Sequence, residues 1–316
     1  MLKRILKKRF LLLISVFFGL FLMNIISKNN EYTLNKISEK VEYVNNEVNM
    51  EKIYLLDQNN MLAMTEVGVN KKKVEDKARN LINILIDGGE GENLIPSGFK
   101  SLIPNDTKIN SISYENNLIK IDFSESLMDV DKKLEEKIVE AIVYTLTSID
   151  GVDKVIIYVD GNILTKLPKS GINLPSTLDK KYGINKEYDL QTYKDINSVT
   201  VYYINKHNDI TYYVPVTKYI NDDREKINII VEELASNLVS NTNLMSYLNS
   251  NAKLISSEKE TDSLFLVFNE YIFNDMSTKN ILEEVIYTIS LSADANYDIK
   301  EVVFKVADEE IYKKSL

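Results

Sequence analysis

The stretch Thr107–Glu125, TKINSISYENNLIKIDFSE, decides the fold because it recurs as Ala252–Glu270, AKLISSEKETDSLFLVFNE, with Phe123 over Phe268 and no gap. In both, two segments of alternating character flank a polar turn, which predicts a β-hairpin. Ile119, Ile121 and Phe123 alternate with Lys120 and Asp122, and Leu264, Leu266 and Phe268 take the corresponding places. Successive side chains of a strand point to opposite faces, so each apolar set lines one buried face.

The repeat extends in both directions. Upstream, KIYLLDQNNMLAMTEVGV (Lys52 to Val69) and VTVYYINKHNDITYYVPV (Val199 to Val216) each read as a hairpin, turning at Asp57–Asn60 and Asn205–Asp209. Between the hairpins of each copy, Val74, Ala78, Leu81, Ile82 and Leu85, and later Ile227, Ile230, Val231 and Leu234, fall at helical spacing. Downstream, LEEKIVEAIVYTLTSIDGVDKVIIYVDG lies over ILEEVIYTISLSADANYDIKEVVFKVAD with Tyr144 on Tyr287. Leu134, Ile138, Ile142 and Leu146 form one stripe of a second helix, and Val155 to Val159 has the residue types of a buried strand. The predicted order is hairpin, helix, hairpin, helix, strand. This is an α+β unit present twice, over 51–167 and 199–316, with a linker at 168–198.

A chain of 316 residues, 44% hydrophobic, has enough apolar side chain for such a pair of cores. It contains no cysteine and one histidine, His207, which excludes disulfides, thiolate metal sites and cysteine nucleophiles and leaves little for histidine-based catalysis. The first nine residues carry five Lys or Arg and precede an uncharged apolar run, Phe10 to Ile26. A basic flank and an apolar run of this kind predict a cytoplasmic tail and a membrane-spanning signal anchor over 1–27, then a polar spacer over 28–50, with the bulk of the chain outside the cell membrane. No small-residue cleavage pattern follows the apolar run. Removing the five basic charges from the net of −9 leaves −14, which argues against nucleic acid as a partner.

Leu94 to Leu127 (LIPSGFKSLIPNDTKINSISYENNLIKIDFSESL), followed by EEKIVEAIVYTLTSIDGVDKVIIYVDGN, resembles the GerMN domain family, a unit found in tandem in bacterial sporulation and germination proteins. Copy one carries Ile103-Pro104 before Thr107, Asp122-Phe123-Ser124, Tyr144-Thr145-Leu146-Thr147 and Val159-Asp160-Gly161. Copy two is degenerate: Asn249 stands for Pro104, Val267-Phe268-Asn269 for Asp122-Phe123-Ser124, and Ala307-Asp308 for Asp160-Gly161. The resemblance implies compact α+β domains similar to the ring-building motifs of secretion and sporulation machinery. It also implies export, retention at the membrane, no catalytic chemistry and no cofactor. Tandem members are associated with the channel complex joining mother cell and forespore, and this chain lacks the lipobox cysteine of lipid-anchored members.

Several polar groups invite a site. Asp122, Ser124 and Glu125, with Asp129, Asp131 or Glu135, could offer oxygens to a hard cation, but SESLMDVDKK lacks the glycine turn of a cation loop and copy two drops the set. His207 sits in the polar turn NKHND without a paired nucleophile. DGGEGEN (Asp87 to Asn93) lacks the Lys-Ser/Thr ending of a phosphate loop and reads as a helix stop. The remaining candidate is an interaction face of Tyr202, Tyr203, Tyr212 and Tyr213, since alternation puts some of them outward and tyrosine suits protein interfaces and glycan platforms. The expected function is a non-catalytic envelope scaffold whose partners are other membrane-anchored proteins or further copies of itself; the alternative is a peptidoglycan-binding module. No metal or cofactor site is expected.

Overall fold

The computed structural model describes residues 49–236 and 243–316. The predicted anchor and nearly all of the predicted spacer lie outside the described residues. Among the described residues, no helix is long and apolar enough to cross a membrane.

Copy one runs β1 (Asn49–Leu56), β2 (Leu62–Val69), α1 (Val74–Leu85), β3 (Ile109–Glu115), β4 (Leu118–Phe123), α2 (Lys132–Leu146), β5 (Lys154–Val159) and β6 (Asn162–Ile163). After β7 (Glu187–Asp189) in the linker, copy two runs β8 (Asn197–His207), β9 (Ile210–Ile220), α3 (Lys226–Ala235), β10 (Leu254–Glu260), β11 (Ser263–Phe268), α4 (Glu283–Asn296), β12 (Glu301–Val306) and β13 (Glu309–Ser315). The order read from sequence is present in both copies, with β6 and β13 as additional final strands.

Each copy builds the same four-stranded sheet, β3-β4-β5-β6 and β10-β11-β12-β13. In each, the first pair is antiparallel, the second parallel and the third antiparallel. The parallel pairs require a crossover, and α2 and α4 supply it. The β3–β4 turn is Asn116-Asn117 with φ of 52° and 60°, the left-handed pair that a two-residue hairpin turn needs and asparagine tolerates. A bulge interrupts the register between Ile109 and Ser111, and again at the equivalent Leu254 and Ser256. Phe123 and Phe268 are both buried, as their shared alternation requires.

The two first hairpins meet in a third sheet. β2 pairs with β9 at Met64 and Tyr213, giving the order β1-β2-β9, with β8 and the short β7 also on β9. The outer edges are bonded by each copy's second helix: Thr145 accepts from the Tyr54 N–H at 3.1 Å and Ser292 from the Tyr202 N–H at 2.8 Å. Two hydrophobic cores result, and they interlock. Ala63 of copy one lies in the second core, and Tyr202 and Leu291 of copy two lie in the first.

Candidate functional site

The expected tyrosine face is corrected by the structure. Tyr202, Tyr203 and Tyr212 are buried, at 3%, 1% and 5% exposure, and Tyr213 is half-buried, stacked on Tyr287 with ring centroids 5.7 Å apart. The physical reason is that β8 is buried without interruption from Val199 to Asn205. Alternation implies an exposed face only where one side of a sheet meets water, and here copy one and the helices of copy two take both sides. The hydroxyls find partners inside: Tyr202 bonds Tyr54 at 2.6 Å, Tyr203 donates to Glu233 at 3.1 Å and Tyr212 donates to Asp57 at 3.1 Å. Burial pushes Tyr202 and Tyr203 well above the usual phenol range, and Tyr54 up to about 12, so all three hydroxyls remain neutral.

Tyr54, Tyr202 and Tyr212 belong to the joint between the copies, where the two hairpin turns are tied together, whereas Tyr203 lies in the second core and bonds Glu233 of its own copy. Asp57 Oδ1 accepts the Asn59 and Met61 N–H groups at 2.8 Å each, closing its own turn. Its other oxygen accepts from Asn205 at 3.3 Å and from Tyr212. Asp57 is buried, and a buried carboxylate with this many donors is satisfied. His207 bonds Gln58 at 3.1 Å and lies over Gly98, where a Cβ would stand 2.4 Å from the imidazole Cδ2. Gly98 also has φ of +95°, so both its backbone and the close approach of the ring call for glycine.

The linker is the second half of the joint. Asn185, buried and left-handed at φ 47°, accepts from the Leu62 N–H at 2.9 Å and donates to the Leu62 and Pro215 carbonyls at 2.7 and 2.8 Å. One side chain thus bonds β2 and β9 together. Its own N–H donates to Glu140 of α2 at 2.9 Å, and Lys186 reaches Glu136 at 2.7 Å and Glu140 at 3.7 Å. Desolvation raises the Glu140 carboxyl to about 7 against the downward pull of Lys186 and the Asn185 N–H. Nearer the linker's start, Glu135 accepts the Lys169 and Ser170 N–H groups at 2.6 Å each. Desolvation pushes Glu135 up, but these bonds with the Ser170 hydroxyl and the Lys169 charge outweigh it, and its carboxyl lies below the usual range.

The other candidates of the sequence are not brought together. Asp122 accepts from the Gly161 N–H at 3.0 Å, Ser124 from the Lys108 N–H at 3.0 Å, and Glu125 is exposed. Asn269, the degenerate counterpart of Ser124, accepts from the Lys253 N–H at the same 3.0 Å, so copy two keeps the bond with a different side chain. Gly88 and Gly91 hold left-handed backbone just past α1, as a helix stop requires. Among the described residues, no group of three or more His, Cys, Asp or Glu is placed to hold a metal ion. A polar depression of about 430 Å³ beside α3 contains Arg224, whose charge is met by Asp222 and Glu232 at 2.7 Å each.

Sequence reasoning passed over Asp57, Glu140 and Asn185. Glu140 leaves a trace, a lone acid within the apolar run of α2, whereas nothing in the linker's composition marks Asn185.

Fold and joint define a tandem α+β module in which two copies of one topology share a sheet and a clasping linker. The family model for sporulation and spore germination (Germane) matches residues 52–165 and 200–312, and the chain belongs to that family. It is 32% identical over 257 residues to the spore germination protein GerM of Bacillus subtilis (strain 168), spanning 80% of this chain and 70% of that protein. The solved tandem GerMN domains of the sporulation protein GerM from Bacillus subtilis match with a TM-score of 0.75 at 29% identity, over 83% of this chain and 92% of that one. The GerMN resemblance seen in the sequence is borne out.

Proposed function

We propose that the chain is a non-enzymatic scaffold of a sporulation- or germination-linked envelope complex, held by its N-terminal apolar segment with the tandem module outside the cell membrane. The observation that carries this reading is the joint: its buried polar side chains are spent on one another, which fixes two copies of one domain as a single body. A scaffold needs fixed relative geometry more than reactive groups. The similarity to GerM supports the link to sporulation, and the basic residues before Phe10 support the topology. Other membrane-anchored envelope proteins are the partners expected of such a body. The burial of Tyr202, Tyr203 and Tyr212 removes the platform on which a peptidoglycan-binding reading rested.

The test is crosslinking in cells under sporulation conditions from a photoreactive residue at exposed Lys120 or Tyr188. Adducts with membrane-anchored envelope proteins are expected. Adducts with glycan alone, or none at either position, would refute the scaffold.

A further inference from the structure

Most strand edges of the molecule are occupied. The outer edge of β1 is bonded by Thr145, that of β8 by Ser292, Asn296 and Met245, and that of β5 by β6 and Leu178. The β13 edge carries Glu309, Glu310, Lys313 and Lys314, a charge density that discourages pairing. Among the described outermost strands of more than three residues, the equivalent strands β3, INSISYE, and β10, LISSEKE, remain. Two-residue turns place Glu115 opposite Leu118 as a bonded pair, and Ser113 opposite Lys120 follows two residues on. The N–H and C=O groups of Ile112 and Tyr114 therefore point away from β4, and no protein group among the described residues bonds them.

We propose that this β3 edge is a homotypic interface, on which a second copy of the chain lays its own β3 antiparallel about a two-fold axis at Ser113. The proposal rests on the scaffold reading and names one partner and one surface for it. In this register Ile112 of one protomer and Tyr114 of the other form a doubly hydrogen-bonded pair, which the symmetry repeats. Their side chains make an aliphatic–aromatic cross-strand pair on one face. On the other face, Ser113 meets Ser113 and Ser111 meets Glu115, all of them exposed in the single chain and none a like-charge pair. The same operation on β10 sets Glu258 against Glu258, and like charges directly opposite one another destabilise a ladder. Charge thus allows β3 to pair with itself and discourages β10 from doing so.

The chain contains no cysteine, so Ser113→Cys gives the full-length protein a single thiol. A short bismaleimide should convert it to a covalent dimer, while Ser257→Cys, exposed on β10 and leaving Glu258 in place, stays monomeric under the same treatment. Failure of Ser113→Cys to crosslink at any concentration, or equal crosslinking of Ser257→Cys, overturns the proposal. Ser113→Lys and Ser113→Glu, exposed changes that far-UV circular dichroism can confirm as folded, face themselves across the axis. Each alone should sediment as a monomer in detergent, and an equimolar mixture should regain the dimer; a dimer of Ser113→Lys alone also overturns it. A monomeric outcome beside intact Lys120 adducts to envelope proteins sinks the dimer and leaves the scaffold standing.

Discussion

Replacing Asn185 by alanine removes three buried hydrogen bonds at once, to the Leu62 N–H, the Leu62 carbonyl and the Pro215 carbonyl. A buried polar group left without a partner costs about 1–3 kcal/mol. Carbonyls can recover part of this from water entering the vacated space, so the lower half of that range, about 1–2 kcal/mol, applies to each of the three groups, about 3–6 kcal/mol in all. Alanine at φ 47° adds roughly 1 kcal/mol of backbone strain that asparagine relieves better. The expected loss is therefore about 4–7 kcal/mol, or about 10 °C or more in Tm for a body of this size. Urea unfolding followed by far-UV circular dichroism measures it. Because Asn185 ties β2 to β9, the transition should also broaden or split as the copies lose their coupling. Asn185→Gly, free of the strain, should be about 1 kcal/mol less damaging. A loss below about 1 kcal/mol for Asn185→Ala, with one sharp transition, would show that the clasp does not hold the copies together.

Three further outcomes follow from the joint. Between pH 4.5 and 7 the folded chain keeps a Glu140 proton that the unfolded chain has released, so this group's contribution to stability falls as pH rises through that window. Glu140→Gln should accordingly be most destabilising relative to the parent near pH 5 and least near pH 8; equal effects at both, measured in urea, would contradict the assignment. Gly98→Ala should cost about 1–3 kcal/mol as His207 is displaced from Gln58, and a His207→Ala background should return the packing part, so strict additivity in that cycle counts against the contact. Thr145→Val and Ser292→Ala each strip the acceptor from an equivalent edge-strand N–H and should each cost about 1–2 kcal/mol by thermal unfolding, a silent change in either copy breaking the equivalence.

The hairpins β3–β4 and β10–β11 were legible because one face of each is buried and the other is wet, which writes alternation directly into residue order. The same logic misled at β8 and β9. A strand covered on both sides has no polar alternation to obey, and Tyr202 and Tyr203 point to opposite faces yet are both inside. β13 escaped notice because EEIYKKS, with its charges, lies at a solvent edge and needs only a few inward contacts to hold its register. The degenerate motif of copy two misstated the structure in another way. Asn269 differs from Ser124 in type but performs the same bond, so a lost motif letter was not a lost interaction. Asn185 had no signal because its partners come from residues far apart in the chain and brought together only by the folded sheet.

The linker's end also determines what proteolysis can do. Tyr193 is 94% exposed, while Asn221 holds the backbone on either side of it, at Thr192 and Lys194. A protease that cuts beside Tyr193 breaks a covalent bond on which the contacts joining the two fragments do not depend. Asn185 and β7 stay on the amino-terminal fragment and keep their grip on β9 of the other. The nicked protein should therefore migrate as two bands in denaturing gels and as one particle in native solution, and the fragments, expressed separately, form a natural pair for complementation.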